Sequence, residues 1–195
     1  MYPLLFCSVL ALTVILERAM FWIRFGKRSD REGLAAFMER VEKNDIEGAR
    51  KIAEGSRDAR MRVLVCGMLH REFSLRDALQ MSAGEEIAHM RRYLPVLDTM
   101  ITLAPLLGIL GTVTGIIYSF TMLGQAGIEN PALVTAGIGQ ALITTAFGLA
   151  IAILSLIPYN YYVDRVEKAT DEIERYATIL EMLVEKNRFG GNGVQ

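Results

Sequence analysis

The order of polar and apolar positions divides this chain before any single residue is considered. Two runs contain no Asp, Glu, Lys or Arg, residues 99–128 and 130–163. Each exceeds the roughly 20 residues that an α-helix needs to cross a hydrocarbon core of about 30 Å, so both are predicted membrane spans. A third apolar stretch, "MYPLLFCSVLALTVIL", is uncharged up to Glu17. It extends through "ERAMFWIRF" if Trp22 sits at the interface and Arg18 and Arg24 snorkel to water. Nothing basic precedes it, no small-residue cleavage motif closes it and a basic cluster follows, so it reads as a retained first span and not a signal peptide.

Between the first two spans the pattern changes to short charged segments with repeated helix-start signals, "SDRE" at 29–32, "NDIE" at 44–47 and "SLRD" at 74–77. Each sets a capping side chain three positions before an acid. Leu34, Phe37, Met38 and Val41, then Val63, Leu64, Met68 and Leu69, recur at helical spacing as a core for three or four short helices. After the third span, "DRVEKATDEIERYATILEMLVEK" keeps a helical period, which predicts that the span runs on as an amphipathic helix before "GGNGVQ".

The expected fold is an all-α membrane protein with three transmembrane helices, a cytoplasmic helical segment between spans one and two, and a long C-terminal helix continuing span three. The expected boundaries are span one at 1–23, the cytoplasmic segment at 24–96 and span two at 97–123. A periplasmic loop at 124–131 follows, then span three at 132–162, the C-terminal helix at 163–188 and a flexible tail at 189–195.

Charge adds orientation. Arg18, Arg24, Lys27, Arg28 and Arg31 follow span one, Arg91 and Arg92 precede span two, and Arg165 and Lys168 follow span three, while "GQAGIENPALV" has no basic residue. The positive-inside rule then places the N-terminus and that loop in the periplasm, and the middle segment and C-terminus in the cytoplasm. The 52% apolar content agrees with a membrane protein, and a net charge of −1 offers no basic excess for nucleic acid. Cys7 falls in a span and Cys66 in the cytoplasmic segment, so no disulfide is implied. His70 and His89 have no ligand partners at metal spacing, and the spans carry no Ser/His, Asp/Asp or His-rich constellation, so neither a metal, a cofactor nor an enzyme is expected.

The chemistry lies in the small and polar residues of the spans. Span two has Gly111, Gly115 and Ser119 at four-residue steps, with Ala104, Gly108 and Thr112 on a neighbouring ridge. Span three has Ala136, Gln140, Thr144, Gly148 and Ala152 on one ridge, with Gly137, Ala141 and Thr145 beside it. Small residues at i and i+4 let helices approach closely. The bland alternative is packing alone, with each threonine bonded back to its own helix. Gln140 argues against a lipid-facing helix, because lipid cannot satisfy an amide.

"LAPLLGILGTVTGIIYSF" followed by "GIGQALITTAFGLAIAILSLIPYNYY" resembles the paired pore helices of the MotA/TolQ/ExbB proton-channel family, nearest its ExbB and TolQ branches. The resemblance implies a homopentamer in the bacterial inner membrane, with spans two and three lining a central pore. It also implies a partner resembling ExbD or TolR, whose single span carries a proton-binding Asp, and a TonB- or TolA-like protein further on. Proton motive force would then drive mechanical work for a TonB-like or Tol-like envelope process.

On the family pattern, Thr112 and Thr145 fall on the pore threonines and Pro105 on the proline opening span two. Gln140 and Thr144 complete the expected ion pathway, and Gly108, Gly111, Gly115, Gly137 and Gly148 the packing and gating set. The departure is at 140, where "GIGQAL" stands for the usual "GIAEAL" and the glutamate is lost. A non-conducting scaffold of the same fold and a Na⁺-driven variant stay open as alternatives. The flagellar stator branch, with four spans, fits less well.

Overall fold

The computed structural model describes residues 2–126 and 131–190. Among them the chain is helical with no strand: α1 (Tyr2–Lys27), α2 (Arg31–Glu42), α3 (Ile46–Ala53), α4 (Ala59–Leu69), α5 (Arg71–Arg91), α6 (Leu94–Ala126) and α7 (Pro131–Gly190). Three stretches are long and apolar enough to cross a membrane, within Tyr2–Lys27, Ser74–Gly124 and Thr135–Asn187. The chain is a multi-pass membrane protein of the expected fold class. The expected loop at 124–131 is shortened from its start, since α6 runs to Ala126, and its centre at 127–130 lies outside the described residues. α7 is one continuous helix to Gly190, and residues 191–195 of the expected tail also lie outside.

The chain divides into two compact units. The first joins the chain up to Ala19 with Tyr93–Val163. Its core at the α1–α6 contact is Cys7, Ala11, Val14, Leu97 and Met100, flanked by Tyr159 of α7. The Tyr162 hydroxyl donates to Ile15 O at 3.1 Å, tying α7 to α1 where lipid offers no alternative acceptor.

Arg18 does not snorkel. It is 1% exposed, paired with Glu17 at 2.5 and 2.7 Å, with its guanidinium 5.4 Å from the centre of the Tyr93 ring, whereas Arg24 is exposed as expected. An adjacent carboxylate and an aromatic face satisfy the cation within the protein. Tyr93 holds a left-handed φ of 68°, a conformation disfavoured for bulky residues.

The second unit joins Met20–Arg92 with the chain from Asp164 on. Leu34, Phe37 and Val41 of α2, Ala49 of α3, Met61, Val63 and Leu64 of α4, and Ile173 and Leu180 of α7 are buried. Of the expected core positions, Met38 and Met68 are half-buried and Leu69 is 63% exposed. Leu69 lies about 140° round α4 from Leu64, off the buried face.

The helix starts also differ in detail. Asp30 and Asp45, not Ser29 and Asn44, are the capping residues, accepting from Gly33 N at 2.8 Å and Gly48 N at 2.9 Å. A carboxylate complements the helix dipole better than a neutral cap, and a Cβ at either glycine would collide with it. "SLRD" behaves as read: the Ser74 hydroxyl donates to Asp77 at 2.6 Å and accepts from Asp77 N at 3.2 Å, at a non-helical break inside α5. Asp58 caps α4 without having been signalled.

Candidate functional site

The site is the seam between α6 and α7 in the first unit. Its closeness follows from glycine. A Cβ on Gly148 would lie 2.5 Å from Ala104 O and 3.1 Å from Gly108 Cα, and one on Gly108 would lie 3.0 Å from both Thr144 O and Thr145 Cα. Both obstacles are largely backbone, which cannot turn aside as a side chain can. Gly115 faces Ala141, Gly137 faces Ser119 and Gly111 faces Thr144. All five expected packing glycines therefore lie on the seam. Pro105 sits within α6 one residue after Ala104 and has no N–H to donate to Ile101 O.

Gly148→Ala is expected to lower stability by on the order of 1–3 kcal/mol through overpacking. Gly139→Ala on the same helix, where nothing lies within 4 Å of the added methyl, is expected to be neutral or to gain up to about 1 kcal/mol from helix propensity. Thermal unfolding in detergent checks the contrast, and equal midpoints for the two variants would remove the seam argument.

This proximity brings three hydroxyls together. Thr145 Oγ1 donates to Gly108 O at 3.0 Å, and Thr144 Oγ1 lies 2.7 Å from Ala141 O and 3.2 Å from Gly108 O. Thr112 Oγ1 lies 3.1 Å from Gly108 O and 3.2 Å from Ala141 O, and is hydrogen-bonded to Thr145 Oγ1. Each carbonyl already accepts one helix N–H, which leaves about one lone pair on each for three hydroxyl protons. The third proton must go to the Thr112–Thr145 bond. The trio is self-satisfied, and one hydroxyl can reach an outside acceptor only by turning away from the others.

Thr114, Ser119, Thr121 and Ser155 differ in bonding back to their own helices alone. Own-helix bonding describes those four, and the trio adds bonds across the seam.

Gln140 stands apart. It is exposed on α7, while Ala141, Thr144, Gly148, Ala152 and Ser155 form the buried face. The expected single ridge from Ala136 to Ala152 is corrected by geometry, because each four-residue step drifts about 40° round a 3.6-residue helix. Ala136 and Gln140 leave the seam, and the contact follows steps of three and four.

The profile of the MotA/TolQ/ExbB proton channel family matches residues 34–175. The chain is 39% identical over 193 residues to the ExbB-like 1 protein of Synechocystis sp., covering 94% of this chain and 74% of that one. The chain belongs to the MotA/TolQ/ExbB proton channel family. It is also 41% identical over 83 residues to the biopolymer transport protein ExbB of Aquifex aeolicus, covering 42% of this chain and 56% of that one. To the Tol-Pal system protein TolQ of Haemophilus influenzae it is 30% identical over 113 residues, covering 58% and 50%. As a family member it carries its seam threonines within the matched region, together with most of α2 and the whole run from α3 to α6.

Sequence reasoning missed the burial of Arg18 beside a part-exposed Glu17, although two adjacent charges inside an apolar run were a signal for it. It also missed a polar knot in the second unit. Arg60 donates to Asp58 at 2.5 and 3.0 Å, to Glu172 of α7 at 2.7 Å and to Ser29 at 2.7 Å. Its partners are 31 and 112 residues away as well as two, so no local motif announces it. Among the described residues no group of acids, histidines and cysteines is placed to hold a metal. His70 Nδ1 lies 3.0 Å from Cys66 O, and the His89 ring packs edge-on to Phe21.

Proposed function

We propose that the chain is an inner-membrane subunit of an ion-driven motor, with the N-terminus periplasmic and the C-terminus cytoplasmic. It assembles as a homopentamer around a partner of the ExbD or TolR kind, whose single span carries an Asp. Protonation of that Asp decides whether it engages the hydroxyls of Thr112 and Thr145 or turns away, and the motion energises a TonB-like or Tol-like envelope process. In this reading the chain transports and does not catalyse.

The observation that carries the proposal is the cross-helix hydroxyl trio, a donor set that is satisfied at rest and can release one donor to an anion. A carboxylate at mid-membrane costs about 2.5–3.5 kcal/mol, and one charge crossing 100 mV yields about 2.3 kcal/mol. The two quantities are close enough for proton binding to tip the balance.

Reconstituting the chain with and without its partner in proteoliposomes under an applied potential tests the reading. Proton flux is expected only with the partner present. Equal flux from the chain alone, or none from the complex, would sink it, and the latter outcome supports the non-conducting scaffold that Gln140 favours by lacking an ionisable group. Flux that follows a Na⁺ gradient and ignores pH identifies the sodium variant.

Gln140→Glu bears on the same point. The amide is exposed on α7, away from the seam. The substitution returns an ionisable group to the span. The complex is expected to stay assembled, with a flux–pH curve displaced from the parent's. A curve superimposable on the parent's, from an intact complex, would count against a pore-facing position for residue 140.

A further inference from the structure

The second unit contains a cavity of about 280 Å³ whose purpose neither the helix seam nor the family membership accounts for. It is lined by the end of α1, the turn into α2, the start of α4 and one face of α7. Its volume is at the small end of ligand cavities, about 300–1,000 Å³, which suits a compact polar group better than a whole lipid or a peptide. Two features of the lining define what it would accept.

The first is charge. The lining contributes six cations and two carboxylates, and both carboxylates, Asp58 and Glu172, are bound by Arg60. Arg28, Arg31 and Arg57 also line the cavity, and none of them forms an ion pair among the described residues. Guanidinium groups stay protonated at any physiological pH, so three of them around one space cannot relieve their repulsion by losing a proton. An anion with several acceptor oxygens relieves it, and the planar guanidinium fork matches phosphate in particular.

The second is an orphan donor. Trp22, another lining residue, is 8% exposed, and its Nε1–H is buried without a hydrogen-bond acceptor. A buried donor left unpaired costs roughly 1–3 kcal/mol, and buried polar groups are paired as a rule. As the ring stands the N–H is closed off from the cavity, so an anion oxygen there becomes its acceptor only when the indole turns toward it. The lining also begins within a few residues of where the apolar runs of α1 and α7 stop, Trp22 on one and Arg165 on the other. Basic pockets at that level of membrane helices are suited to lipid phosphates.

We infer that this cavity is a binding site for a phosphate group, carried by an anionic lipid headgroup or by a soluble anion. The guanidinium groups of Arg28, Arg31 and Arg57 neutralise its charge, and the Trp22 N–H takes one oxygen once the indole turns toward the cavity. The site is separate from the hydroxyl seam, and its test needs neither the partner nor ion flux, so it stands or falls apart from the motor reading.

Trp22 is the single tryptophan of the chain, so its fluorescence reports on the cavity directly. The full chain in neutral detergent is titrated with phosphatidylglycerol, with phosphatidylcholine and with inorganic phosphate, and native mass spectrometry counts retained lipid in parallel. A saturable response to phosphatidylglycerol that phosphatidylcholine does not reproduce identifies a lipid phosphate. A response to inorganic phosphate identifies a soluble anion.

In either case the double variant Arg31→Gln/Arg57→Gln is expected to bind at least tenfold more weakly. Both side chains are exposed, so its circular dichroism should match the parent's. Trp22→Phe is expected to weaken lipid retention by mass spectrometry while leaving the fold intact. Three results would overturn the inference: no preference for anionic lipid or phosphate by either method, an equal response to phosphatidylcholine, or a double variant that titrates like the parent.

Discussion

Arg60→Ala is expected to lower the protection of the α4 amides against hydrogen exchange by a hundredfold or more. The physical reason is the stranded carboxylate. Asp58 is 3% exposed and Arg60 7% exposed, and the guanidinium is the main group offsetting the charge of Asp58. Removing one member of a buried pair costs about 3–5 kcal/mol, because the remaining ion keeps its desolvation penalty and loses its partner. The same arginine also holds Ser29 and Glu172, so its loss loosens the entry to α2 and the contact with α7.

The pH dependence separates this account from simple loss of packing. Burial pushes the Asp58 carboxyl up, but hydrogen bonds from the Arg60 side chain and from the N–H groups of Asp30 and Arg60, with the Arg60 charge, outweigh it and hold it below the usual value of 3.8. A depressed carboxyl contributes stability that is present above its unfolded pKa and is lost as pH falls through the folded one. The parent unit should therefore hold its stability at neutral pH and lose it below about pH 4. In Arg60→Ala the carboxyl keeps the backbone N–H donors but loses the guanidinium and is held down less, so the variant's deficit should narrow as the pH is lowered. A deficit constant with pH would point to packing instead.

The second large effect is expected at Thr145. Thr145→Val should reduce partner-dependent ion flux ten- to a hundredfold, because a hydrogen bond to a charged group is worth about 1.5–3 kcal/mol and valine keeps the shape while deleting the hydroxyl. Thr145→Ser, which keeps the hydroxyl, should retain most of the flux. Stability should change little. Gly108 O still has the Thr112 and Thr144 hydroxyls within reach at 3.1 and 3.2 Å, and interhelical hydrogen bonds in membranes average only about 0.6 kcal/mol. Flux assays on reconstituted complexes, run beside thermal unfolding of the same preparations, check both halves. Equal flux from the valine and serine variants would mean that position 145 supplies bulk and not a donor.

Ala152→Val, which from sequence alone looks like a mild comparison for Thr145→Val, is unsuitable because Ala152 is 8% exposed on the buried face of α7. A substitution there tests packing in its own right.

The sequence by itself determined the features that depend on local composition. Two uncharged runs longer than a bilayer is thick, and a third apolar stretch that carries Glu17, Arg18 and Arg24 near its end, dictate the three apolar helices, whatever they pack against. Glycines and small residues at helical spacing dictate that α6 and α7 can approach closely. "SLRD" dictates its own pair of Ser74–Asp77 hydrogen bonds, since both partners lie within the motif.

Only the tertiary structure decided which of the spaced residues meet. The drift of a 3.6-residue helix takes Gln140 off the seam and keeps Thr144 on it, a distinction that a ridge drawn at fixed four-residue steps does not make. The crossing of two helices, not any motif, joins Thr112 to Thr145 from 33 positions away. Burial of Arg18 needed Tyr93, and the polar knot around Arg60 and the basic cavity beside it needed residues from α1, α4 and α7 in one place. Charge balance of that kind depends on distance in space, and the order of residues along the chain does not contain it.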